Sequence, residues 1–167
     1  MVDEYYIFVT GTFSSGKSEF IYKLRGDRKY VAYSSPDSDC GYAYRYCAIE
    51  VDDDTRLTFF THGAGVSGPA AWADLNYPAV MLGYIILVDS ANLITWREAA
   101  NFISLFRQFS PYPYIVVFNK QDQPSAAPVG MARHGVRMHA DEIAVPCIAT
   151  DLESVKSVVI ALLESLL

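Results

Sequence analysis

The sequence predicts a three-layer α/β domain on a mostly parallel six-stranded sheet with one antiparallel edge strand. Three observations predict it. Short β-branched and aromatic runs alternate with helical patterns along the chain, which is the order of a parallel sheet covered by crossover helices. One pair of runs, 42–51 and 56–61, is separated by little more than Asp52-Asp53-Asp54 and reads as an antiparallel hairpin. The segments richest in polar chemistry follow strands, at the carboxyl edge where such sheets bind ligands.

The elements follow in order. Residues 5–10 are apolar on both faces, which suits a central strand. Residues 19–25 read as a helix ended near Gly26. The stretch 29–41 holds Ser34, Ser35, Pro36 and Ser38 and reads as a loop. In the hairpin, Tyr42, Tyr44 and Tyr46 share one face, where cross-strand packing and an exposed edge interface are compatible. A Gly-rich stretch, 62–68, leads to a short helix over 69–75. Residues 83–89 form a buried strand. A helix over 95–109 follows, with Trp96, Ala99, Phe102, Ile103 and Phe106 at helical spacing. Residues 114–118 form a strand that ends in Asn119-Lys120-Gln121-Asp122. A Pro/Ala-rich loop, a short helix over 130–136, a last strand over 144–148 and a last helix over 152–166 complete the chain. No repeat or linker interrupts it, so residues 1–167 are expected to form one domain.

Composition limits the function classes. Hydrophobic residues are 51% of the 167 and charged ones 19%, enough for a substantial core. A net charge of −6 argues against a nucleic-acid partner or a polybasic membrane anchor. Cys40, Cys47 and Cys147 lack metal-site spacing and read as reduced thiols of a cytoplasmic protein. The acidic Met1-Val2-Asp3-Glu4 start, the short apolar run at 79–88 and the Leu166-Leu167 end predict no secretory signal, membrane span or lipid anchor.

The chemistry starts at Gly11-Thr12-Phe13-Ser14-Ser15-Gly16-Lys17-Ser18, between the first strand and the first helix. In that context G-x-x-x-x-G-K-[ST] is a phosphate cradle. A polyphosphate needs many donors in a small space, and a loop that wraps it presents successive backbone N–H groups. The positive helix end adds to the field. Gly11 and Gly16 permit close approach, Lys17 reaches the outer phosphates, and the Ser18 hydroxyl can ligate Mg²⁺. About one chain in two hundred of this length carries the pattern by chance. An ordinary Gly/Ser turn is therefore the weaker reading.

Asn119-Lys120-Gln121-Asp122 points to the base. An Asp carboxylate there accepts two hydrogen bonds from the guanine N1–H and exocyclic amine, a donor pair that adenine lacks. Lys120 can lay its stem along the base, and Asn119 can tie this turn to the phosphate loop.

With both motifs in place, the chain resembles the Ras-like small GTPases of the P-loop NTPase fold over essentially its whole length. Within them it is most similar to the prokaryotic MglA/Arf-like group. The resemblance implies GTP or GDP as ligand with Mg²⁺, and a regulatory or effector protein, of roadblock type, as partner. It implies that the backbone amides of Ser14, Ser15, Gly16, Lys17, Ser18 and Glu19 hold the phosphates. It also sets Ala149-Thr150-Asp151 where the family has its Ser-Ala-Lys loop, with the Ala149 N–H toward guanine O6.

The chain departs from that family at its γ-phosphate sensors. A D-x-x-G motif should fall near Thr61, where the sequence reads Phe59-Phe60-Thr61-His62-Gly63-Ala64-Gly65. Asp89 is a substitute metal ligand in one reading and a strand end in the other. No glutamine is placed to orient water; His62 either does so or is a structural imidazole. The first switch has no Thr, leaving Ser34, Ser35, Ser38 or Asp39. Phe13 stands where Ras proteins carry a small glycine, and either obstructs a partner's arginine finger or packs on the switch loop. Two functions follow as expectations. One is a guanine-nucleotide switch with slow hydrolysis, Lys17 stabilising transition-state charge. The other is a pseudo-GTPase that holds the nucleotide as a structural ligand and acts as a protein-binding module.

Overall fold

The computed structural model describes residues 3–26, 31–34, 43–62 and 80–167, with backbone alone for 31–34, 43–46 and 62. Its elements are β1 (Asp3–Gly11), α1 (Lys17–Arg25), β2 (Val31–Ser34), β3 (Ala43–Glu50), β4 (Thr55–His62), β5 (Met81–Asp89), a 3-10 turn (Leu93–Thr95), α2 (Trp96–Phe109), β6 (Tyr114–Asn119), α3 (Val129–Gly135), β7 (Ala144–Pro146) and α4 (Leu152–Glu164). The expected helix over 69–75 lies outside the described residues.

The strands form one sheet in the order β2-β3-β4-β1-β5-β6-β7. β1 lies parallel to both β4 and β5, and β6 and β7 extend the parallel run. β3 pairs antiparallel with β4, as the hairpin pattern predicts, and alone runs against the other described strands. A short strand absent from the sequence reading, β2, adds to the outside of β3, from Val31↔Tyr46 to Ser34↔Ala43. The antiparallel strand is therefore one place in from the edge. Ser34, Ser35 and Pro36 carry turn chemistry, which masked the β-formers Val31 and Tyr33; pairing with β3 decides their conformation.

Alternation along the central strands builds two cores. Ile7 and Val9 of β1, Ile85 and Leu87 of β5, and Ile115 and Val117 of β6 face α1 and α4, meeting Phe20, Ile21, Val155, Val158 and Leu162. Phe8, Tyr84, Ile86, Val88, Val116 and Phe118 point to the other face, against Trp96, Phe102, Ile103 and Phe106 of α2 and Ala132 of α3. Helices on both faces of a mostly parallel sheet make the domain three-layered.

A polar clasp fixes the far side of the second core. Arg107 on α2 donates Nε and Nη2 to the two Glu142 carboxylate oxygens at 2.9 and 2.8 Å, and Tyr114 donates its hydroxyl to the same carboxylate. Burial pushes the Glu142 carboxyl up, but the bonds from Arg107, Tyr114 and the His139 N–H outweigh it and hold it below its usual value. The clasp ties the chain ahead of β7 to α2 and β6. Cys47 and Cys147 are buried thiols, and burial pushes Cys147 up to about 11, where it is unreactive. Cys40 lies outside the described residues. No helix among them is long and apolar enough to cross a membrane.

Candidate functional site

The carboxyl ends of β1, β5, β6 and β7 come together at one edge of the sheet: Gly11 is level with Leu87, Asp89 with Asn119, and Phe118 with Pro146. The loop that joins β1 to α1 is shaped by close contacts. Gly11 has φ of 141°, and a Cβ there would lie 2.1 Å from the Leu87 carbonyl oxygen. Gly16 has φ of 101°, and its Cβ would lie 2.2 Å from Asn119 Nδ2. A side chain fits at neither position. Ser14 also takes a left-handed φ, 57°, without being glycine, so the loop curls on itself.

The curl leaves donors to spare. Gly16 is the N-cap of α1 and no side chain caps the helix, so the first-turn N–H groups of Lys17, Ser18 and Glu19 have no acceptor among the described residues. The side chains of Ser14, Ser18 and Glu19 are exposed, whereas Thr12 and Ser15 are buried. The Thr12 and Ser15 hydroxyls have no hydrogen-bond partner among the described residues. Lys17 turns back over the loop, and Nζ donates to the carbonyls of Gly11 at 3.0 Å and Thr12 at 2.7 Å. Burial lowers the Lys17 pKa to about 8, against a smaller upward pull from Glu98. The result is a run of uncapped backbone donors beside one ammonium, an arrangement suited to an anion.

Asn119 joins this loop to the rest of the edge. It is 2% exposed, Nδ2 donates to the Ser15 carbonyl at 2.9 Å, and Oδ1 accepts from the Ala149 N–H at 2.9 Å. Three chain segments meet on one side chain. The turn after it is braced on both sides. Lys120 takes a φ of 66°, and its Nζ meets Asp89 Oδ2 at 2.5 Å. Gln121 donates its amide to Ser90 Oγ at 2.8 Å and to the Ala127 carbonyl at 3.2 Å. Asp122, at the corner of that turn, is exposed, and its carboxylate takes no hydrogen bond from a described residue. After β7, Asp151 caps α4 by accepting the Ser154 N–H at 2.8 Å, and Ser154 Oγ accepts the Ile148 N–H at 2.8 Å. That pair fixes Ala149 and the exposed Thr150.

The structure thus gathers Gly11, Ser14, Ser15, Gly16, Lys17, Ser18, Asn119, Lys120, Asp122, Ala149 and Thr150 along one edge, with two refinements. The Ala149 N–H, expected to serve a base carbonyl, is already engaged by Asn119, so a ligand there must share it. Thr150 N–H has no acceptor among the described residues and is the adjacent donor. Asp89 is buried, accepting from Ala91 N–H at 2.9 Å and from Lys120, which fits a brace rather than an outward metal ligand. Thr61 is buried at the end of β4. The His62 side chain, the Ser34 side chain, Ser35, Ser38, Asp39 and 63–68 lie outside the described residues. Phe13 is 68% exposed and makes little contact with those that are described. Two residues of the site carried no sequence signal: Ser90, after β5, and Gln121, at the variable place of its motif.

No family model matches the chain, and no curated protein matches it.

Proposed function

We propose that the protein binds a guanine nucleotide at this edge and works as a nucleotide-dependent switch with slow GTP hydrolysis. The observation that carries the reading is Asn119, whose two bonds hold the 11–18 loop and the 149–150 segment around one turn bearing an unengaged Asp122. Phosphates would lie against the N–H groups of 14–19 and Lys17, and the base against Asp122, with Lys120 along its face. Ser18 supplies a hydroxyl for Mg²⁺. Among the described residues no group of three or more His, Cys, Asp or Glu could hold a metal, so the nucleotide's own phosphates would complete its shell. Resemblance to the Ras-like family, specifically its MglA/Arf-like group, supports the same reading and is the only basis for a roadblock-type partner.

In hydrolysis a water oxygen attacks the γ-phosphorus, the bond to the β–γ bridging oxygen breaks, and GDP and phosphate leave with one proton released. Lys17 and the loop amides would oppose the charge that builds on the leaving oxygens. With no described residue placed to orient water, a rate of about 10⁻⁴ per second is expected, that of an unassisted enzyme of this kind. One observation favours the second reading, a pseudo-GTPase. The buried Thr61 stands where the family's acidic metal contact belongs. Single-turnover assays with radiolabelled GTP separate the two, since a switch releases phosphate above the Lys17→Ala background and a pseudo-GTPase does not.

The base assignment has its own test. Asp122→Asn should turn preference from guanosine toward xanthosine nucleotides, because an amide can donate to the additional xanthine carbonyl. A discrimination of about 100-fold is expected, two hydrogen bonds at a charged or polar group each contributing roughly tenfold. If Asp122→Asn leaves the preference unchanged, or if the purified protein carries ADP in native mass spectrometry, guanine is the wrong base.

A further inference from the structure

The turn that carries Asp122 is held by a side chain with no assigned part in binding. Gln121 has two amide hydrogens and both are used, at 2.8 Å to Ser90 Oγ and at 3.2 Å to the Ala127 carbonyl. Its backbone N–H donates to the Cys147 carbonyl at 3.2 Å. Gln121 therefore links the end of β5, the chain after β7 and the far end of its own loop. Ser90 is a rigid anchor. It is fully buried, its N–H donates to the Asn119 carbonyl at 3.1 Å, and its carbonyl accepts from the Ala127 N–H at 2.9 Å. Beside this pair runs the Lys120–Asp89 contact, so residues 120 and 121 are each tied to a residue at 89 or 90. Asp122 is the next residue, in a turn closed by the Gln123 N–H donating to the Lys120 carbonyl at 3.0 Å.

We infer that Gln121 is a positioning residue for base discrimination: its amide clamps the turn bearing Asp122 and thereby sets how well guanine is told from other bases. The inference rests on the guanine reading given above. The physical reason is a difference in tolerance. A carboxylate that accepts two parallel N–H bonds needs both donors within about 0.3 Å of their best distance, so a small drift of the turn removes one of them. Phosphate binding is spread over many amides on another segment and is insensitive to that drift. Gln121 thus acts on selectivity through Asp122, without touching the nucleotide.

The test compares GDP, inosine diphosphate and inorganic pyrophosphate on wild type, Gln121→Leu and Ser90→Ala, with ADP on wild type as the check of base preference. Inosine diphosphate lacks the exocyclic amine but keeps N1–H, so its ratio to GDP reads the second Asp122 bond. Gln121→Leu should weaken GDP about tenfold and bring that ratio close to one, with pyrophosphate changed by less than about twofold. Ser90→Ala removes one anchor of the clamp with little change of volume and should give part of the same loss. The double variant should be no worse than Gln121→Leu alone, because Gln121→Leu already breaks the contact that Ser90→Ala removes. Equal weakening of all three ligands, or an unchanged GDP to inosine diphosphate ratio in Gln121→Leu, would overturn the inference. If wild type fails to prefer GDP over ADP, the guanine reading falls and takes the clamp's role with it. If wild type prefers GDP and only the Gln121 variants are silent, the reading stands and this inference alone is rejected.

Discussion

Asn119→Ala is expected to lower the thermal midpoint of the ligand-free protein by about 5–15 °C, the largest loss from any single truncation at this edge. The side chain is nearly fully buried and satisfies one acceptor, the Ser15 carbonyl, and one donor, the Ala149 N–H. Alanine leaves both without their partner in a site closed to solvent, at about 1–3 kcal/mol each. A total of roughly 2–6 kcal/mol, at about 2–4 °C per kcal/mol for a domain of this size, brackets that midpoint change. A water in the vacated space would move the value toward the lower end. Asn119→Asp separates the two bonds. It keeps an acceptor for Ala149 but sets a carboxylate oxygen against the Ser15 carbonyl, so it should be no better than alanine. Differential scanning fluorimetry measures all three proteins, and an Asn119→Ala midpoint within 2 °C of wild type would mean that the bridge contributes little. Nucleotide affinity should fall with stability, since the same side chain sets the spacing between the two halves of the proposed site.

The parts of this site that could be read from the sequence are those whose chemistry is local. Gly11, Gly16 and Lys17 announce a tight loop before a helix because backbone freedom, a cation and a helix start lie within eight residues of one another. The same holds for β5 and α2, whose apolar residues repeat at the period of their own element. What could not be read depends on pairing across the fold. Val31–Ser34 is a strand only because β3 offers an open edge, and the Ser and Pro residues around it argue locally for a loop. Ser90 and Gln121 meet across 31 residues of chain, and neither is of a type or at a position that marks a site. Asp89 left two readings open that only its neighbours decide between. A carboxylate that ends a strand at a ligand edge is either a metal ligand or a strand end, and its surroundings supply an ammonium and a backbone N–H, which fits the strand end. The engagement of the Ala149 N–H by Asn119 belongs to the same class, since a backbone donor leaves no trace in the residue name.

Lys17→Met should weaken pyrophosphate and nucleotide binding by about 100-fold or more, while leaving the ligand-free fold intact. Methionine keeps the stem that is packed against the loop but removes the ammonium, and charge-assisted bonds to phosphate contribute about 1.5–3 kcal/mol each. The wild-type lysine adds a dependence on pH whose sign differs between folding and binding. Burial holds its pKa at about 8 in the ligand-free protein, below the ordinary lysine value of 10.5 that applies to the unfolded chain. Between those values the unfolded chain carries more protons, so this group makes the protein more stable as pH rises from about 8 to 10.5. Binding runs the other way. A polyphosphate favours the charged form and raises the pKa in the complex, so binding takes up a proton once the free protein has lost it. Affinity should be flat with pH below about 8 and then fall by up to tenfold per pH unit above it. Pyrophosphate lacks the guanine N1–H, which ionises in alkali. Its own last proton also leaves in this window, but equally for both proteins, so the comparison of wild type with Lys17→Met isolates the lysine. Titration calorimetry of wild type and Lys17→Met across pH 7 to 10 gives the test. The steep fall should belong to wild type alone, and a parallel fall in Lys17→Met would assign it to another group. Stability that rises while affinity falls over one pH window is expected when a single buried ammonium is costly to the fold and needed by the ligand.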